Sequence, residues 1–182
     1  SSQRNCVLAA RELGGHVFPI DSCNLSTGIS LQIIEAGERI RAGMPAAEIA
    51  QAMKEIIPHC HASFILDTLE FMRAGGRCST IVAVGANLLA LKPCIEVDNS
   101  DGSMHVGNLK KVLPQYVRDK LTQYDRIKRD HLFITYSSID PSYVELVRQA
   151  VLDVMDFKEI HVTTASCTIA SHCGPNTLGI LF

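Results

Sequence analysis

Apolar positions recur at helical and strand spacing along most of the chain. Residues 1–13 carry helix formers after a Ser-Ser start and stop at Gly14-Gly15, which predicts a helix with a glycine terminator. His16–Ile20 reads as a short apolar strand closed by Asp21-Ser22. Leu31, Ile34 and Ile40 mark the apolar turns of a helix over Ser26–Arg41, ended by Gly43. Pro45 opens the next helix, whose face is Ile49, Met53, Ile56 and Ile57, and His61–Leu66 reads as a buried strand. This alternation has the spacing of βαβ units and favours a parallel sheet covered by helices.

The pattern then changes. A short helix over Leu69–Arg73 runs into Gly75-Gly76-Arg77, and Thr80–Leu91 reads as a further helix rich in small residues. Lys92–Asp98 and Ser103–Val106 are short strands about the hairpin signal Asp101-Gly102. Lys111–Arg126 is helical with Pro114 near its start; Leu132–Tyr136 and Glu159–Thr163 are strands, with an amphipathic helix over Ser142–Met155 between them. The tail, Cys167–Phe182, reads as two apolar strands interrupted by His172-Cys173-Gly174-Pro175-Asn176. The fold class is therefore α/β plus α+β. Residues 1–76 form an α/β part with a helix-covered parallel sheet incomplete at its N-terminus, and residues 77–182 form an α+β part with a mainly antiparallel sheet.

Composition narrows the function. A hydrophobic fraction of 47% in 182 residues is enough for a sizeable core. The net charge of −2, with Lys and Arg scattered, argues against a nucleic-acid binder. The longest apolar run, Thr80–Leu91, is too short to span a bilayer, so membrane contact is expected to be transient at most. No signal-peptide pattern opens the sequence, and its 7 cysteines contain no CxxC pair, which together point to a reducing cytoplasm and to cysteines used mostly for packing.

Chemistry concentrates in the tail. Gly174 and Asn176 tolerate positive φ, so successive N–H groups there are expected to converge on an anion, beside a His172 able to donate to a carboxylate. The plain alternative is a connection between strands with a surface histidine. A nucleophilic Cys173 served by His172 defines a hydrolase or transferase alternative, although neighbours in an extended segment point apart and no third orienting group is evident. His59, Cys60 and His61, or His172 and Cys173, offer metal-ligand types without a complete ligand set, so no metal is expected.

Two blocks carry a family resemblance. Cys167-Thr168-Ile169-Ala170-Ser171-His172-Cys173-Gly174-Pro175-Asn176-Thr177-Leu178-Gly179-Ile180 resembles the C-terminal signature of the DegV family, and Asp67-Thr68-Leu69-Glu70-Phe71-Met72-Arg73-Ala74-Gly75-Gly76-Arg77 resembles its internal Gly-Gly-Arg block. Asp21-Ser22 with Ser26 and Gly28, and Leu91-Lys92-Pro93, match in the same order. The resemblance implies a bacterial lipid carrier rather than an enzyme: a long-chain fatty acid lies in a buried tunnel between two domains. A separate fatty acid kinase phosphorylates its carboxyl group, which feeds phospholipid synthesis. No phosphate-binding GxxxxGK[ST] loop is present, in keeping with ATP bound by the kinase.

Burying roughly fifteen methylenes at about 0.8 kcal/mol each favours binding by up to about 12 kcal/mol before entropic losses. The carboxylate must then be hydrogen-bonded or protonated. The resemblance places His172, Gly174 and Pro175 at that end and adds Ser1 or Ser2, in a helix start whose register is open by one residue, with a simple N-cap as the alternative. Arg77 is either a contact near the site or kinase or a structural arginine at a helix end.

Three departures stand out. The preceding segment with the family's first strands and its Thr/Ser loop is missing from this sequence, so a fragment with an exposed sheet edge and open tunnel is expected. Val106–Lys111 is short and lacks the family's Arg, and Asn176 stands where many relatives have Gly.

Overall fold

The computed structural model describes residues 2–77, 92–107 and 112–182. Helix α1, Ser2–Glu12, ends at Gly14 and Gly15, both at positive φ, as the two glycines predict. The expected strand at His16–Ile20 does not form: the segment has no regular structure, and Val17, Phe18 and Ile20 are exposed. A five-residue apolar run becomes a strand only where a sheet edge receives it, and among the described residues none pairs with this one.

Helix α2, Thr27–Arg41, buries Gly28, Leu31, Gln32 and Glu35, a stripe at helical spacing. Ile40, expected on the apolar face, is 65% exposed, and so is Ile33 at 64%; the polar Gln32 and Glu35 take the inward positions instead. Pro45, with φ −62, stands just before α3 (Ala46–Ile56), which buries Ile49 and Met53. A 3-10 turn at Ile57–His59 then leads into β1, Ala62–Ile65, and α4 spans Glu70–Ala74. The helix expected at Thr80–Leu91 lies outside the described residues.

Strands β2 (Cys94–Val97) and β3 (Met104–Val106) form the expected hairpin, and α5 covers Leu113–Thr122 with Pro114 in its first turn. β4 is His131–Ser137 and α6 is Pro141–Val154, with Asp140 capping Ser142 N–H at 2.8 Å. β5 is Glu159–Thr164, α7 is Cys167–Cys173 and β6 is Thr177–Leu181. The tail departs from the strand–turn–strand expectation, because its first half is a helix. Ser166 caps α7 by accepting from Ile169 N–H, and β6 alone fills the gap between β1 and β4, leaving no pairing position for a second tail strand.

The strands form one mixed sheet in the order β3-β2-β1-β6-β4-β5. Residues 1–76 contribute β1, and both of its neighbours run antiparallel to it. The parallel pairing expected in that part is found instead between β4 and β5, which α6 connects as a crossover. Strand alternation splits the core. Ile65, Leu132, Ile134, Leu178 and Ile180 face α5 and α6, whereas Ala62, Phe64, Phe133 and Leu181 face Leu31 of α2, Met72 of α4 and Cys173 of α7. The expectation that cysteines serve as packing holds for Cys60, Cys94 and Cys173, which are buried, but Cys6 and Cys167 are exposed.

Candidate functional site

The two motif blocks of the sequence meet in space, since α4 packs on α7. Their glycines make the meeting possible. A Cβ on Gly75 would lie 2.1 Å from His172 Nδ1, and one on Gly174 would lie 2.3 Å from the Phe71 ring, so each block supplies a glycine for the other's ring. His172 Nδ1 is buried without a hydrogen-bond partner, which costs about 1–3 kcal/mol while it stays unpaired.

The expected convergence of backbone N–H groups does not occur at this turn. Gly174 N–H donates to Ala170 O at 2.8 Å, Asn176 N–H donates to Ser138 O at 3.3 Å, and Pro175 has none to offer. Helix continuation through Cys173 consumes the first donor, and sheet entry consumes the second. Asn176 does take the left-handed conformation that a glycine would, with φ 54. Its side-chain amide reaches Asp67 Oδ2 at 3.4 Å, and Asp67 also pairs with Lys92. The hydrogen bond from Lys92 holds the Asp67 carboxyl below the usual carboxylate range.

Three hollows differ in chemistry. One of about 410 Å³ is lined by Leu31, Ile56 and Phe182 but also by Glu35, Arg39, Lys128 and Asp130. Burial raises the Glu35 carboxyl, yet hydrogen bonds from Lys128 and Arg39 outweigh it and hold the group ionised below its ordinary value. A second, of about 350 Å³, adjoins the tail turn through Asn176 and Leu178 and includes Lys92. The third has no charged lining at all: Ile169 and Cys173, four residues apart on α7, face Leu25, Phe64 and Leu181, with the hydroxyls of Ser26, Thr135 and Thr177. At about 30 Å³ it has room for little more than one water and is not open to an acyl chain.

Other residues singled out in the sequence fall as follows. Ser2 is the exposed first residue of α1, and Ser1 lies outside the described residues. Arg77 donates from its guanidinium to Gly75 O and from its backbone N–H to Met72 O, both at 2.8 Å, which closes the C-terminal end of α4. Pro175 is exposed and Gly174 buried.

Cys173 is in the core, where burial pushes its thiol up to about 11, opposite to the activation a nucleophile needs. His172 and Cys173 also diverge by about 100° on a helix. His61 stacks on Tyr124 with centroids 3.5 Å apart, and burial lowers its pKa to about 4; Cys60 is likewise pushed up to about 11. Ser26, part of the family match with Asp21-Ser22 and Gly28, has a φ of 51 that is unusual for serine; Thr135, which sequence reading did not single out, has its hydroxyl 2.6 Å from that of Thr27 and 3.0 Å from that of Thr163. Thr135 stands in no recognisable spacing, and only the fold brings it to one wall with Ser26. Among the described residues no helix is long and apolar enough to cross a membrane.

The model of the family described as "Uncharacterised protein, DegV family" matches residues 1–182. A DegV domain-containing protein of Deinococcus radiodurans is 29% identical over 178 residues, covering 95% of this chain and 62% of the relative. In structure, the chain is similar to a DegV family protein of Thermus thermophilus described as binding fatty acid, with TM-score 0.86 and 26% identity over 99% of this chain and 65% of that one. It also shares the fold of a fatty acid binding DegV family protein of Streptococcus agalactiae, with TM-score 0.84 and 19% identity over 98% of this chain and 64% of that one. The chain thus spans less than two thirds of the length of these relatives. Matched from its first residue to its last, with its two glycine-bearing blocks interlocked, this chain belongs to the DegV family.

Proposed function

We propose that the protein holds a long-chain fatty acid, its acyl chain in the uncharged cavity beneath α7 and its carboxyl group at the tail turn, and offers that carboxyl group to a separate fatty acid kinase for acyl phosphate formation. The observation that carries the reading is α7 itself. Its flank walls the cavity with Ile169 and Cys173, and its end holds His172 with Nδ1 buried and unpartnered. Turned away from Gly75, against which Nδ1 now packs, the ring would donate from Nδ1 to a carboxylate otherwise buried without compensation. The largest of the three hollows suits an acyl chain less well, because Glu35, Arg39, Lys128 and Asp130 would lose water on filling, whereas the second is mainly apolar, with Lys92 paired to Asp67 at its edge, and is the alternative seat for the chain.

The relatives described as fatty acid binding support the ligand class. On this reading Gly174 and Pro175 shape the turn, Ser1 or Ser2 adds a hydroxyl at the start of α1, and Arg77 offers an exposed cation near the kinase surface. The protein works as a cytoplasmic carrier without a cofactor, and the phosphoryl chemistry belongs to the partner. The two parts divided at residue 76 are proposed to present different surfaces to the ligand, while β1 joins them in one sheet. Loading requires the walls about Leu25, Ser26 and Ile169 to part, since about 30 Å³ is far below the roughly 300 Å³ of a ligand pocket.

Native mass spectrometry of the whole protein purified from cells tests the reading. Wild type is expected to carry a fatty acid. Ile169→Trp, which fills the cavity, should abolish retention with the fold intact by circular dichroism. His172→Ala should weaken retention or kinase-coupled turnover without unfolding. Undiminished lipid in Ile169→Trp would overturn the proposed cavity, and unchanged retention and turnover in His172→Ala would remove His172 from the site.

A further inference from the structure

At the far edge of the sheet, β4 and β5 run parallel with His131 opposite Glu159 and Phe133 opposite His161. Strand alternation puts these four side chains on one face. The rings of Phe133 and His161 stack with centroids 4.5 Å apart, which fixes the His161 imidazole beside that of His131.

Three donor atoms converge there: His131 Nδ1 is 3.1 Å from His161 Nε2, and Glu159 Oε2 is 3.4 Å from His161 Nε2 and 3.7 Å from His131 Nδ1. A point about 2.1 Å from all three atoms and out of their plane therefore exists, within the bond lengths that zinc makes to imidazole and carboxylate. Separations of this size match the edges of a tetrahedral ligand set, which are about 3.3 Å for such bonds. The two imidazole nitrogens are at hydrogen-bond distance, so one ring donates to the other, and the Glu159 carboxylate is within 3.7 Å of both.

The surroundings suit a cation. His131 has its other nitrogen, Nε2, 3.9 Å from Glu38 Oε1, which is beyond hydrogen-bond range but adds negative charge beside the ring. The nearby ammonium groups are already neutralised: Lys158 pairs with Asp130 at 2.5 Å, and Lys128 is shared among Glu35, Glu38 and Asp130. His131 and His161 are partly buried at 16% and 29% side-chain exposure, while Glu159 is 61% exposed and leaves the set open on one side.

We propose that His131, Glu159 and His161 bind a divalent transition metal ion of zinc type, with water at the fourth position. The ion cross-links β5, at the end of the sheet order, to β4. Nothing in the lipid reading uses these residues.

The test titrates the chelator-stripped whole protein with Zn²⁺ against a chromophoric competitor, in parallel with a sample whose exposed thiols are alkylated. One equivalent is expected, unaffected by alkylation and weakened as pH falls and the imidazoles take protons. His131→Gln and His161→Gln should each weaken binding at least about tenfold. Zn²⁺ should raise the unfolding temperature of wild type and not of His161→Gln. Should either histidine variant fail to fold, Glu159→Gln at the exposed start of β5 supplies the same loss. Binding that survives all the ligand substitutions, binding lost on alkylation, or no saturable uptake would overturn the proposal.

Discussion

Gly174 lies at φ 77 and ψ −178, a conformation open essentially to glycine, with the Phe71 ring where a side chain would begin. Gly174→Ala combines backbone strain with a clash and is expected to destabilise by about 3 kcal/mol in urea unfolding, with loss of lipid retention. Gly75→Ala carries no φ penalty, but its Cβ must push His172 aside. It should cost about 1–2 kcal/mol and also impair retention. Neither glycine announces this role by itself in the sequence, since Gly-Gly and His-x-Gly-Pro are common turn chemistry and only the contact between them gives each its reason.

His61 supplies a pH dependence at the same scale. Burial lowers its pKa from 6.5 to about 4, so between those values the unfolded chain binds the proton and the native state does not. The contribution is complete above about 6.5 and is lost as pH falls toward about 4. The urea midpoint should drop between pH 7 and pH 5, and the drop should shrink in His61→Phe, which keeps an aromatic ring against Tyr124. An equal drop in the variant would assign the effect to other groups.

Among elements, α5 is tied to the sheet by the Tyr116 phenol and by the buried Lys120–Glu96 ion pair to β2. The hydroxyl of Tyr116 donates to Ser63 O at 2.8 Å on β1 and accepts from Ile180 N–H at 3.2 Å on β6, at the seam where these strands pair. Tyr116→Phe removes the hydrogen bonds of one buried hydroxyl while Ser63 and Ile180 remain partners across the β1–β6 ladder, and it should cost about 0.5–1.5 kcal/mol in chemical denaturation. Helix positions with strong turn and cap signals, such as Asp140-Pro141 before α6, were readable from sequence because capping is local. The His16–Ile20 and Cys167–Cys173 runs were not, because a short apolar segment becomes strand, helix or coil according to which sheet edge is available to it.

At the scale of the whole molecule, β1 is central to the sheet although it lies before residue 76. Residues 1–76 and 77–182 thus share one pairing network, whatever their separate roles toward a ligand. A fragment of residues 77–182 loses the partner of both β2 and β6 and is expected to show no cooperative unfolding transition. A fragment beginning at residue 57 should regain it, as followed by circular dichroism during urea titration. Cooperative folding of the shorter fragment would show that the β1 pairings are dispensable.

Local periodicity, caps and turn residues along the chain determined the helices α2, α3 and α6, the hairpin and the strands β1, β4 and β5, because those signals act over a few neighbouring residues. The two motif blocks were equally legible, and with them the family. Tertiary structure alone decided that the blocks interlock through Gly75 and Gly174, that the turn's N–H groups are spent on α7 and the sheet, and that His131, Glu159 and His161 converge. Those outcomes depend on strand order and register across tens of residues, and no periodicity within a single segment encodes which strand will lie beside it.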